Sequence, residues 1–233
     1  MSFALTADGA GGATATVGVF RKPQPIADGI AAVLRDRIAL GVYPPGSWIR
    51  ETALGEEFDV SNGPIREALQ LLVNEELLVR EPRRGVRVVS LTAAEIVEVF
   101  HVRLAILELA AELAAKRATA AQVRDARSMI ADMDRVLASG DIDAQMPLGN
   151  RLSLWLCACS GNGRLRQTYS RLTFQSRMYI HESLRRSNQL SRLGAIWHEL
   201  VDAVEARNPG RARQGVRALV RRALDDLGLE HDL

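Results

Sequence analysis

The sequence predicts a mainly α protein in two parts: three short helices closed by a β-hairpin, then an all-helical bundle. Three observations point there. Aromatic residues are only 5% of the 233 while Ala, Leu and Arg abound, a balance that suits helices better than a sandwich or barrel. Strand-like stretches occur only between Leu77 and Val89. Beyond Thr92 the apolar residues recur at helical steps. With 47% apolar and 25% charged residues the chain can bury a core, in one large domain or two small ones. No apolar run approaches the ~20 residues of a membrane-spanning helix, so no membrane partner is expected. Met1 to Thr16 lacks the basic stretch and apolar core of a secretory signal. Cys157 and Cys159 cannot build a disulfide framework, and the expected location is cytoplasmic.

Residues 1–22, rich in Gly, Ala and Thr, read as a disordered tail. After Pro25, Ile26, Ile30, Val33, Leu34 and Ile38 mark one face of a helix that stops at Gly41. Tyr43-Pro44-Pro45-Gly46 cannot be helical. A short helix fits Thr52 to Phe58. Ser61 suits an N-cap, and Pro64 falls in the first turn, where its missing N–H is harmless. The helix it opens turns Ile65, Ala68, Leu69 and Leu72 inward and Arg66 and Gln70 outward. Strands at Leu77–Arg80 and Val86–Val89 flank a turn, Pro82-Arg83-Arg84-Gly85.

That order is a winged helix-turn-helix over residues 23–90. Such a unit offers the first turn of its third helix to the DNA major groove and the tip of its hairpin to the backbone or minor groove. Arg80, Arg83, Arg84 and Arg87 lie on or beside the hairpin, so double-stranded operator DNA is the expected partner, ahead of a merely solvated charged turn. The charge count pulls the other way. Between Pro23 and Thr92 eight arginines face ten acidic residues, a net of −2. Binding therefore requires the arginines on one face, Glu56, Glu57, Glu75 and Glu76 on another, and an affinity that falls with salt.

Residues 91–233 read as all-helical. Thr92-Ala93-Ala94-Glu95 and Thr119-Ala120-Ala121-Gln122 are capping boxes that open helices to about Arg117 and Leu137. Further helices fit Ala144–Cys159, Leu165–Arg186, Leu190–Arg207 and Arg211–Leu227. The stretch holds no phosphate-binding glycine loop, nucleophile set or carboxylate pair, so no enzyme activity is expected.

The segments "IALGVYPPGSWI", "ETALGEEFDVSNGPIREALQLLVNEELL" and "VREPRRGVRVV" resemble the DNA-binding domain of the GntR superfamily of bacterial transcription regulators, with Pro64, Arg66, Glu67, Ala68 and Leu69 as the diagnostic core. The later helices are similar to the FadR-type C-terminal (FCD) domain, through Val102, Arg103, Ile106 and Glu108, Leu113 to Thr119, and Ser160-Gly161-Asn162. The resemblance implies a homodimer on a roughly palindromic operator, a small-molecule effector bound in the helical bundle, and repression as the expected sign. It also implies DNA contacts from Ser61, Asn62, Gly63 and Arg66 on the helix, and Arg83, Arg84 and Gly85 on the wing. Asn62 stands where the family usually carries arginine, and asparagine favours adenine over guanine. Glu76 replaces a usual glycine between the recognition helix and the wing.

Many such domains hold a divalent metal with an aspartate and three histidines. Those places here fall on Gly149, Ser153, Trp197 or His198, and Leu219. Glycine and leucine offer no donor, so no cofactor is expected and the metal site reads as lost. His101, His181 and His198 lie on three different helices. Cys157 and Cys159 point about 200° apart on a helix, a geometry of buried thiols rather than of a chelate. An effector site then comprises Arg103 for an acidic group with Ser153, Trp197, His198 and Leu219, and Trp155 beside them. Three alternatives stand: the tryptophans fill the core, the pocket is degenerate in a ligand-independent regulator, or the bundle is an enzyme.

Overall fold

The computed structural model describes residues 26–187 and 190–233; the tail expected over residues 1–22 lies outside them. The first part runs α1 (Ile26–Ala39), β1 (Trp48–Ile49), α2 (Glu51–Phe58), α3 (Asn62–Asn74), β2 (Leu78–Glu81) and β3 (Gly85–Val88). Leu34 and Ile38 of α1 meet Ile65, Leu69 and Leu72 of α3 in a core closed by Leu78, Val86 and Val88. The α2–α3 turn is tight. Asp59 adopts the left-handed conformation at φ 51°, and a Cβ on Gly55 would stand 3.3 Å from the Val60 carbonyl and 3.5 Å from Asn62 Oδ1. Glycine is therefore the residue that lets the two helices close up.

The wing is three-stranded and antiparallel in the order β1-β3-β2, with Val79 opposite Arg87, and Trp48 opposite Arg87 on the other edge. The third strand, β1, is an addition to the two-stranded hairpin read from the sequence. Ser61 has N-cap backbone angles, but its side chain makes no cap hydrogen bond. Its hydroxyl is left at the exposed mouth of α3.

The second part is α4 (Ala93–Arg117), α5 (Ala120–Ser139), α6 (Ile142–Cys159), α7 (Gly163–Arg186), α8 (Leu190–Glu205) and α9 (Pro209–Leu227). Both capping boxes form. Thr92 N–H donates to Glu95 Oε2 at 2.7 Å while Glu95 N–H donates to Thr92 Oγ1 at 3.3 Å, and Thr119 and Gln122 repeat the exchange. Helix α9 packs along α4 and α8. The α8–α9 crossing is close enough that a Cβ on Gly215 would meet Leu200 Cβ at 3.1 Å. No described helix is long and apolar enough to cross a membrane.

Helix α7 belongs to both halves. Its Phe174 and Met178 pack on the core of the first part, while its Thr173, Ile180 and Leu184 line a cavity in the second. Tyr179 on the same helix accepts a hydrogen bond from the Leu91 N–H at 3.1 Å, tying down the chain between the two parts.

Candidate functional site

The inward set of α3 leaves Asn62, Gly63, Arg66 and Gln70 exposed along its opposite side, the surface a recognition helix would present. Arg66, with 67% of its side chain exposed, donates from Nε to Glu51 Oε2 at 2.8 Å. The other oxygen of Glu51 lies 3.5 Å from Arg80 Nη1, so one carboxylate at the start of α2 links α3 to β2. On the wing, Glu81 pairs with Arg84 at 3.7 Å and with Arg87 at 2.9 Å, and the Arg87 guanidinium lies 6.0 Å from the centroid of the Trp48 ring. Arg83 is exposed at the tip with φ 65°, next to Arg84 and to Gly85 at φ 108°. Arg66 with Arg80, and Arg84 with Arg87, therefore form two groups, each held by a carboxylate.

The acids expected to lie elsewhere do so in three cases. Glu57 pairs with Arg37, whose guanidinium also covers Phe58. Both oxygens of Glu75 accept from Arg35, from Nε at 2.6 Å and from Nη2 at 2.8 Å, while Arg35 covers Phe174. Glu76, at φ 59°, accepts from Gln175 on α7. Glu56 is exposed without a place in these pairs. Glu51 and Glu81, which sequence reasoning passed over, sit among the arginines instead. The i,i+3 spacing of Glu81 and Arg84 was a usable signal; the Glu51 contact is tertiary and left none.

A cavity of about 70 Å³ lies between α4, α6, α7, α8 and α9. Arg103, Ser153, Trp197 and Leu219 line it, as do Arg177 and Arg222, two guanidiniums that the sequence did not single out because charged residues at helical spacing ordinarily face water. Arg103 is buried, donates from Nη1 to Ser176 Oγ at 3.1 Å and lies 5.0 Å from the Tyr169 ring centroid. His198 departs from the expected set. It sits on the exposed side of α8 with Nε2 2.9 Å from Asp134 Oδ2. Consecutive helical residues are turned about 100° apart; on α8 Ile196 and Trp197 take the buried side, and His198 falls on the exposed side. Trp155 also lies outside the cavity, its indole N–H bound to the Gln122 carbonyl at 2.8 Å.

Gly149, Ser153, Trp197 and Leu219 all reach this one cavity, but they do not fit a metal. Three of the four have no donor atom suited to it, and the Ser153 hydroxyl donates to the Gly149 carbonyl at 3.0 Å. Among the described residues no three His, Cys, Asp or Glu side chains come together as a metal-holding group. His101 and His181 each face their own aspartate, Asp232 at 3.1 Å and Asp143 at 2.7 Å. Burial pushes the Cys157 thiol up to about 12 and the Cys159 thiol up to about 11, so both stay protonated at neutral pH.

Residues 26–88 match the family described as bacterial regulatory proteins, gntR family, and residues 98–222 match the FCD domain. An HTH-type transcriptional regulator of Bacillus subtilis, YdhC, is 31% identical over 125 residues, 54% of this chain and 56% of the relative. The gluconate operon transcriptional repressor of Bacillus licheniformis is 44% identical over 75 residues, 32% of this chain and 30% of the relative. The chain thus spans about half or less of the length of these curated relatives. Among solved structures, Escherichia coli McbR/YncC superposes with a TM-score of 0.77 at 18% identity, over 87% of this chain and 97% of the other. A GntR transcriptional regulator from Rhodococcus sp. RHA1 gives 0.72 at 24% identity, over 88% and 99%. Both likenesses are of fold.

Proposed function

Because the chain belongs to the GntR family of bacterial regulatory proteins and carries an FCD domain behind its winged helix, we propose that it is a homodimeric transcription regulator. In this reading it binds operator DNA through α3 and the wing, and a small effector in the helical cavity modulates its affinity. The observation that carries this is the pairing of an outward face on α3, Asn62, Gly63, Arg66 and Gln70, with arginines on the adjoining wing. Ser61 and Arg66 are assigned to phosphates, Asn62 to a base edge, and Arg83, Arg84 and Gly85 to the minor-groove side of the backbone. Effector binding is assigned to Arg103, Ser153, Trp197 and Leu219, without a metal and without catalysis. Repression is the expected sign, and the cytoplasm the expected location.

The mechanism is a shift between two orientations of the winged helices in the dimer, one of which matches the half-site spacing. The effector supplies only its differential affinity for the two. Selection of bound duplexes from a random pool, followed by a salt titration, tests the reading. Arg66→Ala should weaken binding and lower the slope of log Kd against log salt by about one, with the oligomeric state unchanged. No salt-sensitive binding to any duplex overturns it. Elemental analysis of protein purified without chelator should find far less than one metal ion per chain; a stoichiometric ion overturns the metal-free assignment.

A further inference from the structure

Helix α7 reaches the end of the recognition helix through two neighbouring residues. The Arg35 guanidinium lies 5.3 Å from the centroid of the Phe174 ring and donates from Nε and Nη2 to the two oxygens of Glu75. The next residue of α7, Gln175, donates to the next residue after Glu75, Glu76. Glu75 is the C-cap of α3, and Glu76 lies between it and β2. Adjacent side chains of α7 therefore hold, one through Arg35 and one directly, adjacent residues at the junction of recognition helix and wing. Arg35 and Glu75 are only 18% and 25% exposed, so water screens this pair less than a surface one. Apolar packing backs the contact. Phe174 and Met178 pack on the winged-helix core, and Ala39 at the end of α1 packs in the core of the bundle.

Glu76 is the telling position. The Leu77 N–H donates to the Leu72 carbonyl and the Glu76 N–H to the Val73 carbonyl, both at 3.0 Å. That pair of bonds is a Schellman C-cap, whose left-handed residue is ordinarily glycine. Glu76 takes the left-handed place at φ 59°, where a Cβ is disfavoured. What it adds over glycine is a side chain that reaches Gln175. Backbone strain kept where a side chain makes such a tie marks a position that does more than end a helix.

The geometry points to Arg35, Glu76 and Gln175 as positioning residues for DNA binding. They clamp the α3–wing junction to α7, so that the bundle fixes the angle at which a protomer offers its recognition helix. They do so in the dimeric DNA-binding regulator proposed above, on which this inference rests. In a dimer that angle decides which separation of half-sites can be met. One added base pair turns a half-site by about 35° and moves it by about 3.4 Å. Clamped winged helices reject such a change, whereas loosened ones follow it.

Glu76→Gly is the sharpest variant, because strain and clamp respond to it in opposite senses. Glycine suits the left-handed place, so the melting temperature should hold or rise, whereas loss of a merely structural residue would lower it. The full chain and its variants are titrated on duplexes that carry two pool-selected half-sites with spacers differing by one base pair. Wild type should favour one spacing. In Glu76→Gly and Gln175→Ala the discrimination between spacings should shrink about two- to ten-fold, the worth of one hydrogen bond, with affinity for a single half-site unchanged. Arg35→Met should act in the same sense. Glu76→Gln, whose amide oxygen can still accept from Gln175, should keep the wild-type preference. A second readout needs no DNA. Spin labels at Gln70→Cys and Arg135→Cys, both exposed, report the distance from α3 to the bundle in labelled chain diluted with unlabelled, while Cys157 and Cys159 are buried. The distance distribution should be narrow in the otherwise wild-type chain and broader with Glu76→Gly. The proposal is overturned if Glu76→Gly keeps either the spacing preference or the distance width of wild type, or if it loses affinity equally at every spacing. Failure of the regulator reading is a separate outcome: wild type then retains no duplex, and the label distances still decide for or against the clamp.

Discussion

Replacing Glu51 by Gln should tighten binding to duplex DNA. The carboxylate accepts from Arg66 Nε at 2.8 Å and lies 3.5 Å from Arg80 Nη1, so both guanidiniums must leave it or share it before they meet phosphates. Arg66 is 67% and Arg80 42% exposed, against 23% for Glu51. Water screens both pairs, and each is worth about 0.2–1 kcal/mol. Removing both restraints gains about 0.4–2 kcal/mol, roughly two- to thirty-fold in Kd. Salt gives a second reading. A guanidinium already neutralised by a carboxylate displaces fewer counterions from DNA, so the variant's slope of log Kd against log salt should steepen by up to about 0.9 for each arginine freed. The assay is fluorescence anisotropy of a labelled, pool-selected duplex between about 50 and about 200 mM salt. Equal affinity with an unchanged slope would refute the reasoning, because the pairs then persist in the complex or the arginines do not face DNA. Weaker binding would refute it differently, showing that Glu51 aims Arg66 instead of restraining it.

Thr92→Ala removes the acceptor of the Glu95 N–H and should cost about 1 kcal/mol of stability, read by urea unfolding with the m-value unchanged. Leu69→Ala empties a fully buried position in the winged-helix core and should cost about 2–5 kcal/mol, lowering the fraction of protein that holds DNA at elevated temperature. Cys157 and Cys159 should resist iodoacetamide at pH 8 in the native state and react on denaturation. Burial raises both thiols from an ordinary 9.0 to about 12 and about 11, so the stability they contribute is complete below pH 9 and is lost as pH rises towards those values. Cys157→Val should therefore flatten the fall of melting temperature with pH above 9.

The helices were legible where local signals agree with the core. The inward set of α3 and the two capping boxes are local facts of sequence and the fold adopts them; of the apolar face read on α1, Ile30, Leu34 and Ile38 are buried, while Ile26 and Val33 are 62% and 41% exposed, because an apolar period does not say how wide a stripe the partner helix covers. The start of α6 was misjudged because Pro147 interrupts its pattern; the helix begins at Ile142, capped by Asp141. Strand β1 is two residues long, too short to display alternation. For the sites, the outward face of α3 followed from its inward face. Glu51 and Glu81 did not, since their pairing depends on how α2, α3 and the wing meet. Arg103, Ser153, Trp197 and Leu219 could be placed near one another through family resemblance, but a one-residue ambiguity on α8 brought His198 along wrongly. Arg177 and Arg222 escaped notice because nothing in a helical period separates an arginine facing a cavity from one facing water.

The net charge of −2 over residues 23–92 loses its force once the acids are placed. Glu57, Glu75 and Asp36 are taken up by Arg37, Arg35 and Arg177, and Glu76 by Gln175, contacts made by α1, α2 and the C-terminal end of α3 with α1 and α7. Exposed charges act over a Debye length of about 8 Å at physiological salt, so acids on that side do little against a duplex on the other. The count that matters is local: Arg66, Arg80, Arg83, Arg84 and Arg87 against Glu67, exposed next to Arg66 on α3, and against the two carboxylates that pair with these arginines, Glu51 and Glu81. Those two carboxylates share no arginine. Their removal should therefore act nearly independently, and the double variant Glu51→Gln, Glu81→Gln should match the sum of the single changes within about 0.5 kcal/mol. A large departure from additivity would mean that recognition helix and wing are not separate contact surfaces but one coupled cluster, whose arginines exchange carboxylate partners when DNA arrives.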